Sequence, residues 1–209
     1  MSLPNWFAPT ERPSFVRFTE EFVGRDHVHA LQLGAFAGDM TCWLLEHVLT
    51  GMGSSIDDVD TWGGSTNADE RGLDFATVEA RYDLRTASFS ADGRLRKWKC
   101  ASAAFFAALP EDRTYDLIVV DADHHAASVL EDAIAAFHHL APNGVMLLNH
   151  YTWTSPEGLF ASPRIGIDAF CAVYANHLEV LERGTGVWLR RRGGGDLKLV
   201  VGGDPATVG

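Results

Sequence analysis

Short apolar runs alternate with longer stretches of helical periodicity along this chain, a pattern that predicts strands alternating with helices. Pro13 to Val23 places Phe15, Phe18 and Phe22 at helical spacing, so an amphipathic N-terminal helix is expected. A first strand is expected from Val28 to Leu33, then a glycine turn, then a helix from about Met40 to Leu49. The second strand runs from about Ser55 to Asp60 and ends in a carboxylate. The pattern is least determined from Thr61 to Leu95, where Leu73 to Leu84 reads as a helix followed by a polar loop carrying Ala91-Asp92-Gly93. Lys97 to Ala101 is read as the third strand and Ala103 to Leu109 as a helix closed by Pro110. The unbroken Leu-Ile-Val-Val run of Leu117 to Asp121 predicts a fourth strand buried on both faces. Next come a helix from Ser128 to Leu140, stopped by Pro142-Asn143-Gly144, and a fifth strand from Val145 to Leu148. A helix from Arg164 to Asn176 precedes a hairpin of Leu178 to Leu181 with Val187 to Arg190, turning at Gly184-Thr185-Gly186. The glycine-rich tail, Gly193 to Gly209, holds one apolar run, Leu197 to Val201, that could add an edge strand.

This alternation predicts an α/β fold: a mostly parallel sheet with helices on both faces and an antiparallel hairpin at its C-terminal end. Such sheets bind ligands at the carboxyl ends of their strands, where the strand order reverses. Gly34, Ala35, Phe36 and Gly38 form the turn after the first strand, and glycine lets backbone approach a ligand closely. About twenty residues further on, Asp60 ends the second strand, where a carboxylate can take both hydroxyls of a ribose. A dinucleotide would need its pyrophosphate at the helix N-terminus, where Phe36 and Asp39 are poor neighbours. A nucleoside without phosphate fits better, and S-adenosylmethionine is the candidate. The plainer readings are turn glycines in an inert α/β protein and a solvated strand end at Asp60.

Composition narrows the choice. With 209 residues the chain is one domain, divided as an N-terminal helical segment (1–27), a core domain (28–192) and the tail (193–209). A net charge of -11, with Lys97, Lys99 and Lys198 the only lysines, opposes nucleic acid and favours a small-molecule partner. No apolar run approaches 18 residues, so no membrane span is expected, and there is no secretory leader pattern. Cys42, Cys100 and Cys171 lack CxxC spacing, which points to a reducing, cytoplasmic setting without a disulfide framework. A homodimer is compatible with all of this.

Five segments, in order, resemble the class I S-adenosylmethionine-dependent methyltransferases, in particular a short bacterial subgroup related to the catechol-type O-methyltransferases. Leu31 to Leu45 resembles the Glu-Ile-Gly-Ser-Phe-Glu-Gly-type first motif, and Asp60-Thr61-Trp62-Gly63-Gly64-Ser65 the Asp-Thr-Trp-x-Gly-Ser second motif. Tyr115 to Asp132 (YDLIVVDADHHAASVLED) resembles the fourth-strand motif, Leu140 to Tyr151 (LAPNGVMLLNHY) the turn-and-strand segment ending in Asp-Asp-Tyr, and Ile167 to Arg191 the C-terminal helix and hairpin. The resemblance implies a Rossmann-like three-layer sandwich with a seven-stranded sheet. It also implies S-adenosylmethionine held by Gly34, Ala35, Phe36, Gly38, Asp60, Thr61, Trp62, Ser102 and Asp121. Asp121, His124 and His150 would face the methyl acceptor, with Trp62, Tyr151 and Trp153 as apolar walls.

Three departures remove acidic groups that the family carries: Gln32 opens the first motif, Ala104 follows Ser102, and Asn149-His150 replaces the acidic pair after the fifth strand. Relatives bind Mg²⁺ at that pair together with the fourth-strand Asp, and a hard ion wants several anionic oxygens. No metal is therefore expected; if one binds, Asp121, Asn149 and His150 would hold it. His150 is the expected general base for a hydroxyl acceptor, since imidazole titrates near neutrality, and a structural His bonded to Asp121 or Asp123 is its bland alternative. The expected activity is S-adenosylmethionine-dependent methyl transfer to a small molecule, most readily to a hydroxyl oxygen. The alternative is a non-catalytic nucleoside-binding module.

Overall fold

The structure, a computed structural model, describes residues 3–5, 7–64 and 72–193. Two short helices, α1 (Phe7–Thr10) and α2 (Arg12–Thr19), precede β1 (His29–Leu33), α3 (Asp39–His47) and β2 (Ser55–Asp60). Then follow α4 (Phe75–Ala91), β3 (Leu95–Lys99), α5 (Ser102–Ala108), β4 (Tyr115–Val120) and α6 (Ala126–His138). β5 (Leu140–Leu148), α7 (Pro163–Val173), β6 (Leu178–Arg183) and β7 (Val187–Arg191) complete the order.

The seven strands form one sheet in the order β3-β2-β1-β4-β5-β7-β6. β1 to β5 run parallel, and β7 adds antiparallel to β5 with β6 outside it. The order reverses between β1 and β4, the switch point at which such sheets open a ligand crevice. This is the Rossmann-like sandwich that the resemblance implies, with the C-terminal hairpin that the patterning predicts.

Strand alternation divides the core. Ala30, Leu117, Val119 and Leu147 face a cluster built with α1 to α4, while Leu31, Leu33, Ile118 and Val120 face one built with α5 to α7. The N-terminal helices are sewn into the first cluster by Phe15, whose ring lies 4.9 Å from Trp188 and 6.2 Å from Trp43. Two ion pairs, Arg17–Glu182 and Arg190–Glu21, tie the same segment to the hairpin.

Several element boundaries differ from expectation. The second helix after the glycine turn, α4, runs to Ala91 rather than Leu84, because Thr86 is buried and back-bonds to Tyr82, while Arg85 pairs with Asp39. β3 lies two residues earlier than read, anchored by buried Leu95, which leaves Cys100 to Ser102 beyond the strand. Pro142-Asn143-Gly144 does not terminate a helix. It forms a bulge inside β5, where pairing jumps from Tyr115–Leu140 to Leu117–Val145 and Asn143 takes φ 64°. Proline cannot donate to a ladder, and a bulge is where a sheet tolerates it. The possible edge strand, Leu197 to Val201, and Ser65 of the second motif lie outside the described residues.

β2 carries two carboxylates in its buried middle. Asp57 accepts from Tyr115 (2.8 Å) and Trp98 (3.1 Å) on one face of the sheet. Asp58 on the other face accepts through Oδ2 from Thr41 (2.7 Å) and Tyr82 (2.8 Å), and its Oδ1 has no hydrogen-bonding partner among the described residues. Burial pushes the Asp58 carboxyl up to about 7, against the downward pull of the Thr41 and Tyr82 hydrogen bonds. The folded protein thus holds this proton more tightly than the unfolded chain does. The resulting stability is complete below the unfolded carboxyl's range, near pH 4, and is lost as pH rises through about 7. Asp58→Asn removes the titration, so the melting temperature of the native protein, taken relative to this variant, should fall between about pH 4 and pH 7. A constant difference across that range would contradict it.

Candidate active site

Every strand end named from sequence opens onto one cavity of about 880 Å³ at the carboxyl edge of the sheet, within the usual size range for small-molecule sites. The turn after β1 forms its floor. Gly34 (φ 88°) presses so close to β4 that an added Cβ would sit 2.0 Å from the Asp121 carbonyl oxygen, and Gly38 (φ 77°) caps α3 in the left-handed region. Between them Phe36 takes φ 47°, a conformation that side chains other than glycine adopt only under constraint.

The constraint is Asp60. Its Oδ2 accepts from the Ala35 and Phe36 amides, both at 2.9 Å, and its Oδ1 from the Trp62 amide at 2.7 Å. Trp62 (φ 45°) returns its indole N–H to the Phe36 carbonyl at 2.9 Å. Three of the roughly four acceptor positions of the Asp60 carboxylate are thus used within the protein, leaving one toward the cavity. Gln32, which replaces an acidic residue of the family, is buried and braces the same turn, its Nε2 donating to the Gly34 carbonyl at 2.9 Å. Ser102 lies inside the first turn of α5 and does not cap it; its hydroxyl donates to Asp132 of α6 at 3.2 Å. Both residues line the cavity, and burial raises the Asp132 carboxyl to about 6.

The opposite half collects the histidines. His150 follows β5 at φ 58°, and its Nε2 lies 2.8 Å from Asp121 Oδ1. The contact is a close polar one that becomes an ion pair when the imidazole is protonated. His124, 7% exposed, packs its ring at a tilt against His150, 3.9 Å between centroids, and edge-to-face against Trp153 at 5.3 Å. Thr61 and Trp153 line the cavity as expected. Tyr151 does not: its hydroxyl donates to Asp168, and Arg164 and Arg183 cover its ring, which draws it towards α7 and the hairpin.

Ligand atoms of Asp121, His124 and His150 lie within 4.8 Å of one another. Asn149 lines the same cavity, and its Nδ2 donates to Glu11 Oε1 at 2.7 Å. One carboxylate with two imidazoles does not fit Mg²⁺, which seeks several anionic oxygens.

Glu11 is the residue that sequence reasoning missed. It precedes α2, is 8% exposed and lines the cavity beside Asn149. Burial and the nearby Asp121 raise its carboxyl to about 7, while the Asn149 hydrogen bond and His150 pull the other way. It lies 138 positions from Asn149 in the chain, and no local pattern foreshadows that contact. Phe7, Asp132 and Thr185 also line the cavity without having been singled out.

A parallel sheet with a glycine turn and a strand-end carboxylate opening onto one cavity is the arrangement of nucleoside-binding α/β proteins. A family described as a methyltransferase domain matches residues 31–151, and the chain belongs to that family, among the class I S-adenosylmethionine-dependent enzymes. No curated protein matches the chain. Solved structures confirm the fold at low identity. An O-methyltransferase from Bacillus cereus in complex with SAH superposes with a TM-score of 0.63 at 13% identity, covering 91% of this chain and 84% of its own. TomG from Streptomyces achromogenes, an O-methyltransferase of tomaymycin synthesis in complex with SAM, gives 0.59 at 15%, covering 87% and 77%. The N-methyltransferase NodS from Bradyrhizobium japonicum gives 0.55 at 16%, covering 88% and 98%. Among the described residues no helix is long and apolar enough to cross a membrane.

The Gly34 contact sets a sharp expectation. Gly34→Ala must displace the Asp121 backbone as well as strain φ, and should lower the melting temperature by at least about 10 °C. Gly93→Ala, at similar φ in open space, should cost only about 1–2 kcal/mol. Equal losses for the two variants would show that the turn can give way.

Proposed function

We propose that this protein transfers the methyl group of S-adenosylmethionine to a hydroxyl of a small molecule. The observation that carries this reading is the single cavity shared by the Gly34–Gly38 turn, Asp60, Ser102 and the Asp121–His150 pair. Gly34, Ala35, Phe36 and Gly38 supply close backbone for the methionine part, Asp60 and Thr61 face the ribose, and Trp62 and Ser102 flank the base. Carboxylates at Glu11, Asp39, Asp60, Asp121, Asp123 and Asp132 line this space, and no Lys or Arg does so among the described residues. That charge suits a sulfonium and repels a pyrophosphate. O-methyltransferases among the structural neighbours support oxygen as the acceptor atom.

His150, held by Asp121, would take the acceptor proton, and Asp121 would stabilise the resulting imidazolium; S-adenosylmethionine, when bound, would supply the methyl group. His124 and Trp153 pack the ring in place.

Calorimetry tests the cofactor: S-adenosylmethionine should bind more tightly than NAD, and the reverse would overturn the reading. Asp60→Ala should weaken that binding by at least about tenfold, the equivalent of one charge-assisted hydrogen bond. A folded variant of unchanged affinity would move the ribose elsewhere. His150→Ala should reduce methyl transfer to a phenolic acceptor by about 10²–10⁴-fold with cofactor affinity nearly intact. Retained turnover, followed as S-adenosylhomocysteine release, would remove His150 from the base role.

A further inference from the structure

Gln32 of β1, Asp58 of β2 and Lys97 of β3 are neighbours in register across the sheet. Thr41 of α3 reaches two of them: its Oγ1 lies 2.7 Å from Asp58 Oδ2 and 3.3 Å from Gln32 Oε1. A hydroxyl carries one proton, so Thr41 donates to one of these acceptors at a time. With Asp58 ionised, the closer and charged acceptor takes that proton. Gln32 Oε1, on a buried side chain at the cavity wall, then lacks the Thr41 donor, while its Nε2 stays on the Gly34 carbonyl.

Protonated Asp58 orders the same groups differently. Its Oδ1 faces no partner among the described residues, so the proton belongs on Oδ2, where one of two contacts must reverse. The Tyr82 hydroxyl, 2.8 Å away, has no second acceptor among the described residues, whereas Thr41 has Gln32. The Thr41 contact is therefore the one that reverses, and its proton turns to Gln32 Oε1. Asp57 and Asp60 of the same strand resist ionisation of Asp58. Burial keeps the facing Tyr82 hydroxyl of α4 and Cys42 thiol of α3 neutral by raising both. Lys97, the cation in register, is drawn to Glu79 and Asp83.

We infer that Asp58 is a positioning residue for the cofactor: its ionisation draws the Thr41 hydroxyl off Gln32 and frees the Gln32 amide oxygen to accept the ammonium of the methionine part. This rests on the reading of the cavity as an S-adenosylmethionine site. On binding, the Asp58 proton leaves for solvent, Thr41 turns to Asp58, and Gln32 Oε1 accepts from the ammonium. Releasing that proton costs more as pH falls below about 7, so affinity weakens towards acid.

S-adenosylhomocysteine, which carries the same ammonium, is titrated by calorimetry into the full chain between about pH 5.5 and pH 7. Native affinity should rise at least about fivefold over that range, since each pH unit below the carboxyl's value costs up to about tenfold. Asp58→Asn cannot titrate and should lose this rise. Thr41→Val cannot donate to either acceptor and should lose most of it. Glu11, Asp132 and the cavity histidines are common to all three proteins, so the differences report on Asp58 and Thr41. Repeating the titration at about pH 6 in two buffers of different ionisation enthalpy counts protons. The native protein should release more than Asp58→Asn, a difference that a purely structural role does not produce. An equal rise in native and Thr41→Val, or equal proton release in native and Asp58→Asn, overturns the inference. Should Asp58→Asn fail to fold, Thr41→Val decides alone. No binding at any pH would fail the cofactor reading itself, whereas binding without the coupled proton fails only the role of Asp58.

Discussion

The turn after β1 meets the end of β4 backbone to backbone, Gly34 against the Asp121 carbonyl, and the cavity depends on that contact. It holds two neighbouring strand ends close at the switch point of the sheet, where the crossover helices diverge and leave a crevice. Asp60 completes the arrangement from the third side. Its three backbone hydrogen bonds hold Phe36 and Trp62 at positive φ, so a local strain is offset by charge-assisted bonds from one carboxylate. The same residue is thereby a structural clamp first and a candidate ribose ligand second. Both roles follow from its place at the tip of β2.

Buried polar groups are unusually dense around this edge, and each is balanced differently. Asp57 and Asp58 sit in one strand but on opposite faces, where tyrosine hydroxyls from β4 and α4 reach them. Gln32, a neutral substitute for an acidic residue of the family, spends its amide bracing the glycine turn. The negative charge missing after β5 is supplied from elsewhere, by Glu11 at the start of α2. A site can therefore lose an acidic residue in one motif and regain a carboxylate from a segment that the motif does not include. That exchange changes the donor set: the acidic pair of the family gives way to one carboxylate and two imidazoles close together, with the Glu11 carboxyl bonded to Asn149 in the same cavity.

Much of this was legible in the chain because it is written locally. The Leu-Ile-Val-Val run forms β4, since a short, β-branched apolar run suits a strand covered on both faces. The spacing from Gly34 to Asp60 placed both at one sheet edge, because successive parallel strands end on the same side. Local pattern misled where tertiary contacts outweighed propensity. The polar second half of α4 reads as a loop until Thr86 is buried and Arg85 finds Asp39, and Pro142-Asn143-Gly144 reads as a helix stop until β4 pairs across it. Tyr151 follows the fifth strand like a site residue, but its hydroxyl is claimed by Asp168. By itself the sequence determined the order of elements, the fold class and the strand ends that bear chemistry, because periodicity and glycine placement act over a few residues. Only the tertiary structure decided that Asp60 clamps the turn, that His124 comes close to Asp121 and His150, and that Glu11 enters the cavity. Those outcomes depend on side chains brought together from up to 138 positions apart, and no short-range pattern encodes such a distance.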